Sequence, residues 1–244
     1  MNHTRIFQAG KYSIGQQVQL DTFASQHLMR VLRLKDGSEF ILFNGESGEY
    51  LARLQTEKRE ASAEIIEFFD IDRESRLHIT LLQGVSKGDH MDLSLQKSVE
   101  LGVSSIQPVI CERSVVNLKA DRLEKKMRHW QGILRHACEQ SGRTRMPELS
   151  PPVQLNNLDV SDDTSSLKLL LDPLASETLD SIDQQPLAVH LLIGPEGGLS
   201  QNEIQQVSSA GFRRIKMGNR ILRTETAAIA ALSVMQILWG DFRS

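Results

Sequence analysis

Residues 187–193 (LAVHLLI) and the loop GPEGG that follows them at 194–198 decide how this chain folds. The apolar run has the length of a strand, and it stops at a Gly-Pro step that can continue neither a strand nor a helix. Ser200 and Glu203 then match a capping box, so a helix is predicted to begin there and to end at Gly211. The segment therefore predicts a strand, a glycine loop and a helix in succession.

The same arrangement follows a second time. Residues 212–217 are predicted to form a strand, residues 218–227 (GNRILRTETA) hold a second loop, and an alanine-rich helix is predicted over residues 224–239. In parallel α/β sheets, the loops that leave the carboxyl ends of the strands form the ligand crevice. Two such loops in succession predict a small-molecule site.

The two parts of the chain differ in their patterns. Before residue 70, short and partly alternating runs separated by turn sequences predict a small β-barrel or curled sheet, interrupted by one helix that Asp21 caps and that runs through Arg33. After the hydrophilic residues 70–76, strands alternate with longer helices, which predicts a parallel sheet with helices on both faces. We therefore expect an α/β protein with two domains, 1–72 and 73–244.

Composition narrows the class of protein. The chain has 244 residues, 40% of them apolar and 24% charged, and its longest apolar stretch, residues 227–239, is too short to span a bilayer. Cys111 and Cys138 are far apart and form no CxxC motif, which favours a reducing compartment and a cytoplasmic protein. The seven histidines lack ligand spacing, so no metal site is indicated.

Positive charge is concentrated although the net charge is −3. Residues 119–145 contain eight Lys or Arg and three acids, and residues 211–223 contain five and no acid. A polyanion such as RNA responds to the local charge of a protein surface, so these basic segments could contact RNA. The usual explanation of such a charge run is a helix face that is exposed to solvent. Both interpretations stay open for residues 119–128, whereas RNA contact is favoured for Arg143 and Arg145.

The two glycine loops are unlike known phosphate-binding loops. The patterns G-x-G-x-x-G and G-x-x-x-x-G-K-[ST] are absent, and Glu196 would repel a phosphate. A neutral adenosine or a ligand that carries positive charge fits better. Arg220 and Arg223 flank the apolar Ile221 and Leu222, which indicates an adenine-sized slot with basic residues at its mouth. A pair of tight turns is the alternative, but it explains poorly why two successive strands end in such loops.

Several segments together resemble the RsmE family of 16S rRNA uridine N3-methyltransferases, within the SPOUT superfamily. The resemblance covers nearly the whole chain in the expected order, and an aromatic residue common in the family is replaced by Leu199. The matching segments are IGPEGGLSQNE at 193–203, MGNRILRTETAAIAAL at 217–232, HLMRVLR at 27–33, QKSVELGV at 96–103 leading to Pro108, and EQSGR at 139–143 leading to Pro147.

The resemblance implies a fold, a cofactor and partners. It implies an N-terminal PUA-like RNA-binding β-barrel and a C-terminal SPOUT domain with a trefoil knot. It also implies S-adenosylmethionine as the methyl donor, 16S rRNA within the 30S subunit as the substrate, and a homodimer. The cofactor-binding residues are then expected to be Leu171, Ile193, Gly194, Pro195, Glu196, Gly197, Gly198, Met217, Gly218, Ile221, Leu222, Thr224 and Thr226.

Methylation at N3 requires loss of the N3 proton, so a base or an anion-stabilising group is needed. Arg143, Arg223 and Glu225 are the candidate catalytic residues, although Glu225 could instead complement the dipole of the last helix. The residues expected to bind RNA are Arg5, Arg30, Arg33, Lys35, Gln140, Arg143 and Arg145.

Two other functions remain open on the sequence alone. The chain could be a SPOUT enzyme that methylates ribose 2′-oxygens, since such an enzyme shares the fold and the cofactor. It could also be a non-catalytic RNA-binding assembly factor, which the two intact glycine loops disfavour.

Overall fold

The computed structural model describes residues 3–46, 48–57, 60–114, 120–158 and 165–243. The chain divides into two compact units. The first consists of Met1–Glu74 and Arg135–Met146, and the second of Ser75–Leu134 and Pro147–Ser244. The segment Arg135–Met146, which the sequence places in the second domain, therefore groups with the first unit, and the boundary at residues 72 and 73 stays a prediction.

The first unit is built on a five-stranded sheet with the order β1-β3-β4-β5-β2. β1 pairs with β3 in parallel and the other pairs are antiparallel. A core of buried apolar side chains, including Ile6, Phe40 and Leu54, lies against this sheet. The predicted barrel or curled sheet is thus present as a mixed sheet. Its strands are β1 (Arg5–Phe7), β2 (Gln17–Gln19), β3 (Glu39–Phe43), β4 (Glu49–Glu57) and β5 (Glu60–Phe69).

One helical segment interrupts this sheet, as the sequence predicts. The helix α1 (Thr22–Gln26) begins where Asp21 Oδ1 accepts a hydrogen bond from the backbone N–H of Ala24, 2.6 Å away, which confirms the predicted cap. A π-helical turn, His27–Val31, continues it. Arg33 takes a left-handed φ of 54°, so helical geometry ends before the residue at which the sequence predicts its end.

The second unit contains a seven-stranded parallel sheet, which confirms the α/β prediction. The strand order is β12-β10-β11-β6-β7-β8, and β9 also pairs with β7. Consecutive residues of the central strands are buried, as expected for strands that are covered on both faces. The strands are β6 (His78–Gly84), β7 (Ser105–Ile110), β8 (Glu148–Leu149), β9 (Val153–Gln154), β10 (Leu167–Leu171), β11 (Ala188–Ile193) and β12 (Arg213–Ile215).

The longer helices are α2 (Gly88–Glu100), α3 (Ala120–Ser141), α4 (Gln201–Ser209) and α5 (Thr224–Leu238). Both bonds of the predicted Ser200–Glu203 capping box are present at the start of α4. α5 packs against α2 and carries the fully buried Gln236, whose amide donates to the carbonyl of Leu101 at 2.9 Å. A helix long and apolar enough to cross a membrane is absent from the described residues. The trefoil knot stays a prediction.

A buried carboxylate organises one end of the first unit. Glu49 is 5% exposed and accepts hydrogen bonds from Arg5 and from Arg73, whose Nη1 lies 2.9 Å from Glu49 Oε2. Burial opposes ionisation of Glu49, but the hydrogen bonds from the two arginines outweigh it and hold the pKa of Glu49 below its ordinary value. Glu49 thus stabilises the fold as the charged form.

We expect Glu49→Gln to lower the free energy of unfolding by about 2 kcal/mol at pH 7, because the mostly buried Arg5 and the more exposed Arg73 lose a charged acceptor. Because the folded pKa of Glu49 is lowered, its stabilisation is complete above the ordinary pKa and is lost as the pH falls through the folded value. Thermal unfolding between pH 7 and pH 3 should therefore show a smaller acid destabilisation in Glu49→Gln than in the wild type.

Glu39→Gln is the control, because the carboxylate of Glu39 forms an exposed pair with Arg53. This substitution should change the free energy of unfolding by less than about 1 kcal/mol. Equal effects of the two substitutions would contradict the prediction.

Candidate active site

A cavity of about 690 Å³ lies in the second unit, at the carboxyl ends of β10, β11 and β12. It is lined by the segments that follow these three strands and by the first turn of α5. Its size is typical of small-molecule sites, which commonly enclose roughly 300–1,000 Å³. This is the edge of the sheet at which the two glycine loops predict a ligand crevice.

The structure brings most of the predicted cofactor-binding residues together. Two of them, Gly197 and Thr226, do not line the cavity. Thr226 is exposed, and Gly197 packs against Arg113, so that a Cβ added to Gly197 would stand 2.9 Å from Arg113 Cβ. The predicted residues that line the cavity are Leu171, Ile193, Gly194, Pro195, Glu196, Gly198, Met217, Gly218, Ile221, Leu222 and Thr224. Their role in holding a cofactor stays a prediction.

Thr224 connects the walls of the cavity. Its hydroxyl donates to the carbonyl of Gly194 at 2.8 Å and accepts from Gln83 Nε2 at 2.9 Å. Gly194 opens the loop after β11, and Gln83 lies at the end of β6. All of these groups are at least partly buried, so each hydrogen bond supplies a partner to a polar atom that has little access to water. One side chain therefore holds the start of α5 to the ends of two neighbouring strands.

Glycines shape the cavity in two different ways. An added Cβ at Gly84 would stand 2.4 Å from the backbone nitrogen of Pro195, so Gly84 permits β6 and the loop after β11 to approach each other closely. Gly198 and Gly218 have φ values of 67° and 73°, and an added Cβ at either would meet no atom within 4 Å. Both glycines face open space and also take a backbone conformation that disfavours side chains.

Glu225 places a buried carboxylate at the cavity wall. It is 6% exposed, and its Oε1 lies 3.0 Å from Nδ1 of His90, which lies in the first turn of α2. Its second oxygen, Oε2, is buried without a hydrogen-bond partner among the described residues. A buried carboxylate oxygen of this kind calls for a ligand or solvent partner.

Two further carboxylates line the cavity. Glu196 Oε1 accepts from the backbone N–H of Lys87 at 2.9 Å, and so caps α2 from the glycine loop. Asp172 is buried and accepts from Arg214 Nε at 2.7 Å and from the backbone of Leu174 at 2.9 Å. With Glu225, three carboxylates line the cavity, which is also lined by Arg113, Arg220 and Arg223, so charged groups of both signs face a ligand there.

Some of the cavity residues could not be predicted from the sequence. His90 and Arg113 lie far from both glycine loops along the chain, and they reach the cavity through the packing of α2 against α5 and through the turn after β7. Asp172 could have been found, because Asp-Pro follows directly on β10 and thus lies at the carboxyl end of a parallel strand. Arg223, a predicted catalytic residue, lines the cavity together with Glu225.

Arg143, the third predicted catalytic residue, lies in the first unit and does not line the cavity. It is 6% exposed and donates from Nε to Glu74 Oε2 at 3.0 Å. Its backbone carbonyl accepts from Arg5 Nη2 at 2.9 Å. These bonds give Arg143 a structural role, and its catalytic and RNA-binding assignments stay predictions.

The other predicted RNA-binding residues fall into two groups. Arg5 is mostly buried because it pairs with Glu49. Arg145 is exposed and pairs with Asp72 at 3.0 Å. Surface ion pairs of this kind are weak, so a phosphate could replace Asp72 as the partner of Arg145. The remaining predicted residues are exposed, and they are Arg30, Arg33, Lys35 and Gln140.

Comparison with known proteins places this site in a family context. A model described as RNA methyltransferase domain matches residues 73–236, and one described as RNA methyltransferase PUA domain matches residues 24–66. The ribosomal RNA small subunit methyltransferase E of Buchnera aphidicola subsp. Schizaphis graminum is 35% identical over 233 residues, which cover 93% of each chain. The protein of that name from Bacillus subtilis is 30% identical and covers 88% of this chain and 89% of its own.

Solved structures agree with the sequence relatives. A putative methyltransferase from Legionella pneumophila, in complex with SAM, is 43% identical, with a TM-score of 0.96 over 99% of this chain and 100% of its own. A ribosomal RNA small subunit methyltransferase E from Neisseria gonorrhoeae, bound to S-adenosyl methionine, is 40% identical, with a TM-score of 0.89 and the same coverage. This chain belongs to the RNA methyltransferase family that includes the ribosomal RNA small subunit methyltransferases E.

Proposed function

We propose that this protein uses S-adenosylmethionine to methylate N3 of one uridine in the 16S rRNA of the small ribosomal subunit. Membership of the RNA methyltransferase family and the names of its relatives support the rRNA substrate. The observation that carries the proposal is the cavity at the strand ends, whose apolar side chains and open glycines suit an adenosine derivative. The choice of N3 rests on the resemblance of the motifs at 193–203 and 217–232.

The residues present fit this cofactor. Its apolar portions match the side chains of Ile193 and Leu222, and the carboxylate of Glu196 in the first glycine loop offers a negative group for its positive charge. The open space beside Gly198 and Gly218 leaves room for a ligand against the backbone of both loops. The cofactor-bound relatives from Legionella pneumophila and Neisseria gonorrhoeae support the same assignment.

S-adenosylmethionine supplies a methyl group that its sulfonium already activates. The protein must then orient the uridine and remove the N3 proton, because the imide is protonated at neutral pH. We assign the removal of the N3 proton to Glu225. Its Oε2 is a buried carboxylate oxygen without a hydrogen-bond partner among the described residues. His90 holds the other oxygen, and the exposed Arg223 at the cavity can stabilise negative charge on the base.

The RNA is expected to contact the first unit through its phosphates. Arg30, Arg33 and Lys35 are exposed within six residues of one another, and they lie in the segment that matches the PUA-domain model. Phosphate contacts position an RNA without reading its sequence. The target uridine has to be unpaired or flipped out, since a paired base cannot present N3. The 30S particle as substrate and the homodimer belong to the proposal on family resemblance alone.

Another SPOUT activity would place the methyl group on a ribose 2′-oxygen and would need the same cofactor. The position of the methyl group therefore separates the two enzymes, whereas cofactor binding does not. An assembly factor without activity would add no methyl group at either position.

The decisive experiment compares 16S rRNA from a strain that lacks this protein with rRNA from the parent strain. Mass spectrometry of digested nucleosides should show that N3-methyluridine is absent from the deletion strain and restored by the purified protein with S-adenosylmethionine. The ribose-methylated nucleosides should be unchanged. Normal N3-methyluridine in the deletion strain would refute the proposal.

Glu225→Gln tests the assignment of the base. We expect the single-turnover rate to fall by about 10²–10⁴-fold, because the amide cannot accept the N3 proton, while the affinity for S-adenosylmethionine stays within about threefold. Glu100→Gln on α2, whose carboxylate pairs with Lys97 away from the cavity, serves as the control and should leave both values unchanged. Loss of cofactor affinity that accounts for the whole loss of rate would show that Glu225 acts structurally instead.

A further inference from the structure

A second group of polar side chains lies in the first unit and takes no part in the proposed reaction. His27, His136 and Glu139 bring two imidazoles and a carboxylate together, and one potential ligand atom of each lies within 4.8 Å of the other two. His136 Nδ1 already stands 3.2 Å from Glu139 Oε2. The two imidazole rings are 5.5 Å apart between centroids.

Local structure positions each of these side chains. His136 and Glu139 are three residues apart on α3, a spacing that places both on one face of the helix. His27 begins the π-helical turn, a rare element that frequently marks functional sites. Glu139 is held from behind, since its Oε1 accepts from the backbone N–H of Phe7 at 3.0 Å. Such an outer hydrogen bond is typical of carboxylates that bind metals.

The accessibility of the cluster also suits a cation. The side chain of His136 is 49% exposed and that of Glu139 is 7% exposed, so an ion would be reached by solvent on one side and held by protein on the other. Arg135 is the neighbouring cation, but its guanidinium lies 4.6 Å from the centroid of the Phe23 ring and 3.8 Å from Asp21 Oδ2. Its charge is thus engaged by other groups.

The donor set selects the class of metal. Two imidazoles and one carboxylate suit Zn²⁺ and its neighbours in the first transition row, whereas Mg²⁺ prefers oxygen ligands. Ligand atoms of a tetrahedral zinc site stand about 3.4 Å apart when the bonds measure about 2.05 Å. The His136–Glu139 pair already meets this separation, and rotation of the His27 ring would close the remainder.

We propose that His27, His136 and Glu139 form a binding site for a divalent transition metal of the zinc class, with water in the fourth position. The ion takes the place of the direct contact between His136 Nδ1 and Glu139 Oε2 and ties the C-terminal part of α3 to the π-helical turn. Metal binding therefore stabilises the first unit, and it is independent of the methyl-transfer reaction proposed for the cavity.

Calorimetry with ZnCl₂ on the full, untagged and chelator-treated chain tests the proposal. We expect one ion per chain, a rise in melting temperature with Zn²⁺ but not with MgCl₂ at equal concentration, and visible absorption from bound Co²⁺. His27→Gln and His136→Gln should each weaken Zn²⁺ binding by at least about 10–100-fold, a loss that even outer partners of metal ligands can cause. The melting temperature of each variant without metal shows whether it is folded.

His129→Gln is the matched control, because His129 is an exposed histidine on the same helix and contacts Asp92 at 2.7 Å, outside the cluster. It should leave Zn²⁺ affinity unchanged. The proposal is overturned if the wild type takes up no Zn²⁺, if folded His27→Gln and His136→Gln bind as tightly as the wild type, or if His129→Gln weakens binding equally.

Discussion

The hydroxyl of Thr224 is the point on which the candidate active site depends. It donates to the carbonyl of Gly194 and accepts from Gln83, so one atom fixes the start of α5 against the ends of β6 and β11. A hydroxyl can serve as donor and acceptor at once, and neither a carboxylate nor an aliphatic side chain could satisfy both partners. The cavity exists because the two loops and the helix are held at this junction.

The path of the backbone around the cavity also depends on single residues. Gly84 lets β6 pass the loop after β11 without a side chain between them, and the Ser200–Glu203 capping box turns that loop into α4. With the backbone fixed in this way, the side chain of Glu225 can remain buried with one oxygen on His90 and the other without a protein partner among the described residues. A carboxylate that is oriented but incompletely satisfied is suited to accept a proton from a bound substrate.

Much of the fold can be predicted from the sequence because it follows from local signals. The strands before both glycine loops, the capping box and the alternation of strands and helices are encoded within a few residues. The structure confirms them, although the second of these strands is only Arg213–Ile215 instead of 212–217. The long loops of the site can be located for the same reason.

Features that depend on distant contacts could not be predicted. The pairing of His90 with Glu225 needs α2 and α5 to pack together, and they are separated by more than a hundred residues. Arg143 follows a basic helix and precedes another arginine, which indicates an exposed RNA contact, yet Glu74 holds it in the interior of the first unit. The cluster of His27, His136 and Glu139 could not be predicted, because His27 lies more than a hundred residues from the other two along the chain.

The central claim is that the cavity between the two glycine loops binds S-adenosylmethionine, and calorimetry of Gly198→Val beside Gly211→Val tests it most directly. Both glycines have positive φ values, 67° and 92°, and an added Cβ would meet no atom within 4 Å at either. The two substitutions therefore impose comparable backbone strain, of about 1–3 kcal/mol, but only the first places a side chain at the cavity. The account predicts that Gly198→Val, and likewise Gly218→Val, weakens cofactor binding by far more than tenfold while Gly211→Val retains it. Equal cofactor affinity in Gly198→Val and Gly211→Val would contradict the account.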